Sequence, residues 1–214
     1  MADRLIRALA ANGTLRIFVI EGTELVQEAR RVHSLSRVAT AALGRQLLMT
    51  AMLTADLKND TDSLSAIIKG DGPAGSMICT GWPPCHVKGR LTHGDVELPL
   101  TTQGKLDVGA FVGKHGSLTV VRDLSLRQPY VGSSHLVSGE IAEDFAQYLA
   151  ASQQQPSLVY LGVRLQADTG GVLAAGGVLV QAMPGCADDT LDAATATQER
   201  IAGFSKALES GVDA

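Results

Sequence analysis

Aromatic residues are scarce in this chain: four Phe, three Tyr and one Trp make 4% of 214 residues. A core with so little ring volume must be filled by Leu, Ile, Val, Met and Ala, whose packing depends on many small contacts. Charge is scarce too, at 19%, and its balance is negative, with a net charge of −4. That balance lacks the basic excess that displaces counterions from a phosphate backbone, so nucleic acid is not an expected partner. Cysteine occurs three times, at Cys79, Cys85 and Cys186. An odd count without paired spacing excludes a disulfide framework and fits a reducing compartment. No apolar run approaches the roughly 20 residues that span a bilayer. Met1-Ala2-Asp3-Arg4 holds no apolar signal region. The expectation is a soluble cytoplasmic protein with no membrane partner.

Hydrophobic residues make up 45% of the sequence, enough for a folded core rather than a disordered chain. Residues 3–11 read as a short helix closed by Asn12-Gly13. Residues 14–21 read as a strand, apolar on both faces through Ile17-Phe18-Val19-Ile20. Leu25, Val26, Ala29 and Val32 follow helical spacing after Gly22-Thr23. Ser36 is placed to cap the longest helix, running to about Leu57, in which Arg45 is the one charge between Val38 and Ala55. A helix apolar nearly all round is buried on most sides, with Gly44 allowing close packing and Met49 and Met52 as core filler.

A half-exposed strand follows at 86–92, then a turn or short helix within 104–113 and strands at 117–121 and 130–137. Ser138 is read as the cap of a helix over 139–151, with Glu140, Glu143 and Asp144 near its positive end. Residues 158–167 alternate, with Val159, Leu161, Val163 and Leu165 on one face. Asp168-Thr169-Gly170-Gly171 turns the chain into a return strand over 172–183. Gly176-Gly177 in the middle of that strand implies a bulge or a close backbone approach. After Pro184-Gly185 the composition changes. A last helix, capped by Asp188 or Asp189, carries a sparse stripe of Leu191, Ala194, Ile201, Phe204 and Leu208.

Chemistry-bearing motifs are few. No G-x-S-x-G, P-loop or H-E-x-x-H occurs. Gly70-Asp71-Gly72-Pro73-Ala74-Gly75 matches G-x-G-x-x-G, which binds a dinucleotide only between a strand and a helix. The lead-in at 63–68 reads as strand. The exit runs through Ser76-Met77-Ile78 to Trp82-Pro83-Pro84, where prolines preclude a long helix. The segment is therefore expected to be a turn between two strands, with Gly70, Gly72 and Gly75 supplying positive φ and Pro73 stiffening the bend. Cys79, Cys85, His86 and His93 lie close together in sequence but lack zinc-ligand spacing, so no metal is expected there.

Five segments, taken in order, resemble the heat-shock protein 33 family. They are Lys69-Gly70-Asp71-Gly72-Pro73 with Gly75, Gly104-Lys105-Leu106-Asp107-Val108-Gly109, Pro129-Tyr130-Val131-Gly132, Ser138-Gly139-Glu140-Ile141-Ala142-Glu143-Asp144, and Ala174-Ala175-Gly176-Gly177-Val178-Leu179-Val180-Gln181 with Pro184. The resemblance covers about residues 4–184. It implies an ATP-independent holdase chaperone, not an enzyme, that binds unfolding proteins under oxidative stress and forms homodimers. It also implies a helical linker and a C-terminal zinc domain with Cys-x-Cys and Cys-x-x-Cys pairs, acting as a disulfide switch. Neither pair occurs in this sequence, so the redox domain is expected to be absent from this chain, which should carry no zinc or other cofactor.

The expected fold is α+β: two packed β-sheets with a long central helix and flanking helices, followed by a helical linker segment. A substrate-binding core would occupy 1–184 and a partial linker 185–214. Leu191, Ile201, Phe204 and Leu208 are the expected client-contacting stripe, with Gly70, Gly72, Pro73, Gly75, Gly176 and Gly177 structural. Two other functions fit less of the sequence: a nucleotide-binding enzyme using the turn 70–75, and a dimerisation scaffold.

Overall fold

The computed structural model describes residues 2–196, with only the backbone of residues 188, 189, 191 and 192. Its organising element is helix α2 (Arg37–Thr54), whose residues are almost all buried. Ser36 caps it as expected: the Ser36 hydroxyl accepts the Ala39 N–H at 3.2 Å and itself donates to the Val96 carbonyl at 2.6 Å. The helix ends at Thr54, a turn short of the expected Leu57. Its buried threonines do not leave orphaned hydroxyls, because Thr40, Thr50 and Thr54 each donate to the carbonyl four residues earlier.

Around α2 lie two antiparallel sheets. The four-stranded sheet has β1 (Arg4–Ala10), β2 (Leu15–Glu21), β8 (Ser157–Leu165) and β9 (Val172–Ala182) in the order β1-β2-β9-β8. The five-stranded sheet has β3 (Ser63–Lys69), β4 (Ser76–Trp82), β5 (His86–Leu91), β6 (Ser117–Asp123) and β7 (Tyr130–His135) in the order β5-β4-β3-β6-β7. α2 packs on β2, β8 and β9 of one sheet and on β3, β4 and β5 of the other. α1 (Thr23–His33), α3 (Val108–Val112) and α4 (Ala142–Gln153) flank this centre, and α5 (Asp188–Ala196) follows β9. This is the expected α+β arrangement.

Gly44 of α2 sets the spacing to its neighbours, since a Cβ there would lie 2.7 Å from Val26 and 3.1 Å from Val163. Met49 and Met52 are fully buried, as core filler should be. In the return strand the close approach falls at Gly177, where a Cβ would sit 2.7 Å from Leu161 and 2.9 Å from the Tyr160 carbonyl oxygen. The β8–β9 ladder breaks register at Arg164/Leu165 and not at the glycines.

Three local expectations are corrected. Residues 3–11 form no helix: β1 pairs with β2 from Arg4↔Glu21 to Ala10↔Leu15, and a short 3₁₀ turn over Ala11–Gly13 closes the hairpin. The helical spacing of Leu5, Ala8 and Leu9 is a local preference that strand pairing overrides. On α1, Val26 is buried but Val32 is 57% exposed, because the helix leaves the core before its last turn. α4 begins at Ala142, and Ser138 does not cap it.

The start of α4 is built differently. Asp144, wholly buried, accepts four backbone N–H groups: Val137 at 2.7 Å, Ser138 at 3.1 Å and Gly139 at 3.3 Å on Oδ1, and Ile141 at 3.0 Å on Oδ2. The loop wraps around one carboxylate. Ile141 sits at φ 72, ψ −54, and the Ala142 N–H donates to the Glu140 carbonyl at 2.9 Å. That is a γ-turn of the strained hand, rare for a β-branched residue. It is held by the Asp144 bond on one side and by complete burial of the Ile141 side chain on the other.

Candidate functional site

The glycine turn was the first candidate for chemistry. β3 and β4 are antiparallel neighbours joined by it, as expected. Gly75 alone of its glycines has positive φ, at +69°. Gly70 and Gly72 are required for a different reason. A Cβ on Gly70 would lie 2.0 Å from the Val112 carbonyl oxygen, and one on Gly72 would lie 2.5 Å from that of Phe111. The Gly72 N–H donates to the Val112 carbonyl at 3.0 Å and the Ala74 N–H to the Phe111 carbonyl at 2.9 Å. The turn therefore satisfies the unpaired carbonyls at the C-terminus of α3. The Gly72, Ala74 and Gly75 amides are spent on oxygens of the chain, and the partial charge at the C-terminus of α3 is negative. A phosphate cradle needs a helix N-terminus, and this turn leads instead into strand β4. Asp71 completes the seat by accepting the His115 N–H at 3.1 Å, a bond that holds its carboxyl below the usual range.

The other candidate is a surface. Strand alternation gives each sheet one face toward α2 and one away from it. On the four-stranded sheet the face away from α2 is apolar over most of its length, with Arg4, Glu21 and Arg164 at one end. Leu15, Val178 and Val180 form a cluster of their own, joined by Ile17, Val19, Leu158 and Tyr160. Ile6 on β1 extends it and is 46% exposed. Cys186 and Ala194 pack against the same cluster, so the chain crosses this face as it leaves β9. The corresponding face of the five-stranded sheet is mixed, with Ile67, Ile78, Val121 and Val131 among hydroxyl and basic groups. Ser65 and Thr80 hydroxyls pair at 2.9 Å, Thr119 and Ser133 at 3.1 Å, and Lys88 lies over the Trp82 ring at 5.4 Å from its centroid. The separate apolar cluster thus lies on the four-stranded sheet.

At the rim of the four-stranded sheet, polar groups are paired. Arg16 reaches Asp56 at 2.6 Å and Gln181 at 2.8 Å, and Gln181 donates to Gln155 at 3.0 Å. Asp3 accepts the Glu24 and Leu25 N–H groups at 2.9 and 2.7 Å. It therefore supplies the cap that Gly22, without a side chain, cannot give α1.

The expected contact stripe lies mostly elsewhere in the chain. Leu191 falls within α5, without a described side chain, while Ile201, Phe204 and Leu208 lie outside the described residues. The apolar sheet face was not singled out from the sequence. Its signal was the run Ile17-Phe18-Val19-Ile20, apolar at successive positions, which implied burial on both faces. The structure buries Phe18 and Ile20 toward α2 and leaves Ile17 and Val19 half-buried on the far side.

Zinc finds no fit among the described residues. No three His, Cys, Asp or Glu side chains there are arranged to hold a metal ion. Cys79 is buried in the core, and burial pushes its thiol far up from the ordinary value. Burial also raises the Cys85 thiol. Among the described residues no helix is long and apolar enough to cross a membrane.

Two antiparallel sheets packed around a central helix, with an apolar cluster on the outer side of one sheet, define an α+β class of chain. The chain belongs to the Hsp33 family, whose family description, Hsp33 protein, matches residues 3–213. It is 48% identical over 212 residues to the 33 kDa chaperonin of Symbiobacterium thermophilum, covering 99% of this chain and 71% of that relative. It is 44% identical over 211 residues to the 33 kDa chaperonin of Clostridioides difficile, covering 99% and 72%. The crystal structure of the 33 kDa chaperonin from Thermotoga maritima has the same fold, with a TM-score of 0.78 and 36% identity, covering 95% of this chain and 66% of that one. The chain thus spans between two-thirds and three-quarters of the length of the two curated relatives and just under two-thirds of the crystal structure's chain.

Proposed function

We propose that this chain is a chaperone that holds unfolding proteins without nucleotide, using the outer face of the four-stranded sheet. The observation that carries the reading is the apolar cluster on that face, where Ile17, Val19, Leu158 and Tyr160 stay half-buried around Leu15, Val178 and Val180 and Ile6 is exposed at the margin. Apolar area of this kind binds exposed apolar segments of other chains without directional chemistry, which suits a clientele defined by lost structure and not by sequence. Independence from ATP is supported by the glycine turn, whose Gly72 and Ala74 amides are bonded to α3 and which leads into a strand.

The 33 kDa chaperonins lend the role, the family resemblance adds oxidative stress and dimers, and the sequence composition adds a cytoplasmic setting. Two of the three cysteines here offer little for a switch. Cys79 is shielded and its thiol held protonated, and Cys85 shares the upward shift. The 214-residue chain should therefore suppress aggregation equally with and without peroxide, and should carry no stoichiometric zinc by elemental analysis.

The test is light scattering of a chemically denatured client diluted into buffer containing the protein. Suppression should not change on adding ATP. Ile6→Glu, which places a charge on the exposed margin of the apolar face, should weaken suppression, and Arg90→Glu on the other sheet should not. No suppression by the unaltered chain, or equal behaviour of the two variants, would overturn the assignment.

A further inference from the structure

Four strands lie at sheet edges: β1 and β8 in one sheet, β5 and β7 in the other. An edge strand exposes a row of backbone donors and acceptors, and charged side chains are the usual protection against pairing with foreign strands. β1 carries Arg4 and Arg7, β5 carries Lys88 and Arg90, and β8 carries Arg164. β7, with the sequence YVGSSH, has no Lys, Arg, Asp or Glu. Apolar exposure is concentrated around the same strand. Leu126 is 71% exposed, Val131 58%, Val137 54% and Tyr130 50%, with Leu124 nearby at 37%. These account for most of the large exposed apolar residues among those described.

The strand is also firmly backed. α4 packs on one face, where a Cβ on Gly132 would lie 2.4 Å from the Ser152 hydroxyl. β6 pairs along its whole length, from Ser117↔His135 to Arg122↔Tyr130. The edge is therefore rigid, uncharged and flanked by apolar side chains. We infer that the free edge of β7 receives an extended apolar segment of a non-native client, which adds to the five-stranded sheet as a sixth strand. The inference rests on the chaperone reading and gives it a second, directional contact apart from the apolar sheet face.

The geometry favours a client strand over a second copy of this chain. Six residues of strand span about 20 Å, and an edge pairing of that length buries on the order of 400 Å². Stable specific interfaces bury roughly 1,200–2,000 Å². Such a contact is too small to hold a dimer alone, but it suits a segment that must later be released.

Hydrogen–deuterium exchange of the full chain, with and without a chemically denatured client under holding conditions, tests this. Amides of residues 130–135 should exchange several-fold more slowly with client present. Val131→Lys, a charge on an exposed position of the edge, should remove that protection and weaken suppression while leaving the melting temperature unchanged. Slowing confined to 15–19 and 178–182 would overturn the inference and leave the sheet-face reading intact. Slowing at 130–135 that grows with protein concentration in the absence of client would overturn it in favour of self-association. Absence of protection anywhere, together with no suppression of aggregation, would overturn the chaperone reading itself.

Discussion

Removing the Asp144 carboxylate should be among the most damaging single changes in this fold. Asp144→Ala takes the acceptor away from four N–H groups, those of Val137, Ser138, Gly139 and Ile141. The site is sealed by protein, so water does not readily replace it. Leaving buried donors unpaired costs about 1–3 kcal/mol each when water is excluded, but the loop will relax and recover part of this. A net loss of roughly 3–5 kcal/mol follows, the range seen when one member of a buried charged network is removed. For a domain of this size each kcal/mol moves the melting temperature by about 2–4 °C, so the midpoint should fall by roughly 6–20 °C.

Asp144→Asn separates the two oxygens. Its amide oxygen can take the place of Oδ1 and keep three donors, while its NH₂ group faces the Ile141 N–H and cannot accept. The strained γ-turn at Ile141 then loses its tie, and the loss should be about half that of the alanine variant. Circular dichroism melts of the three proteins at neutral pH give the comparison, with urea titrations at constant slope as a check. An alanine variant within about 1 kcal/mol of the parent would show that the loop finds other partners, and the argument would fail. Equal losses in the two variants would show that the Ile141 bond, and not the Oδ1 set, carries the loop.

Gly72→Ala should destabilise by about 3 kcal/mol or more, because the new methyl group would meet the Phe111 carbonyl oxygen at 2.5 Å and the Gly113 nitrogen at 2.6 Å, both backbone atoms. A chemical denaturation curve close to that of the parent would contradict the seat drawn for α3. Cys79 should resist thiol reagents until the protein is unfolded, since its sulfur is enclosed and its thiol shifted upward; modification of Cys79 in native protein, located by mass spectrometry, would refute the core placement. The Asp71 carboxyl is held below its ordinary value of 3.8, first by the His115 N–H. A lowered carboxyl stabilises the fold above its unfolded value and loses that contribution as pH falls through the folded one. Asp71→Asn should thus flatten part of the acid decline in melting temperature between about pH 5 and pH 2, and an unchanged decline would remove Asp71 from the account.

Elements set by periodic burial were legible from the amino acids. α2 announced itself through the near absence of charge between Val38 and Ala55, and the alternation of Val159, Leu161 and Val163 placed β8. The turn at 70–75 was legible because Pro83-Pro84 left no room for a following helix. What could not be read was pairing at a distance. β1 looks helical until β2 supplies its partners. The cap of α1 comes from Asp3, and the reason for Gly70 and Gly72 lies in α3, some forty residues further along. Asp144 looked like one acidic residue among three near a helix start, and only the folded loop shows that it is the centre of the turn. The apolar sheet face escaped notice because a sequence apolar on both sides of a strand does not say which side is closed by the core.

The contrast between the two sheets has a consequence in colloid terms. One outer face is mostly hydrocarbon, and the other mixes paired hydroxyls and cationic side chains with a few apolar ones. A molecule adsorbed by its apolar side onto a clump of unfolded chains would present the hydroxylic side outward. Each bound copy would lower the interfacial tension of the clump and slow its growth, as a surfactant arrests coarsening of an emulsion. Capacity would then scale with the surface area of the growing particles and not with the number of chains inside them, so fewer protein molecules per client chain would be needed as the particles enlarge.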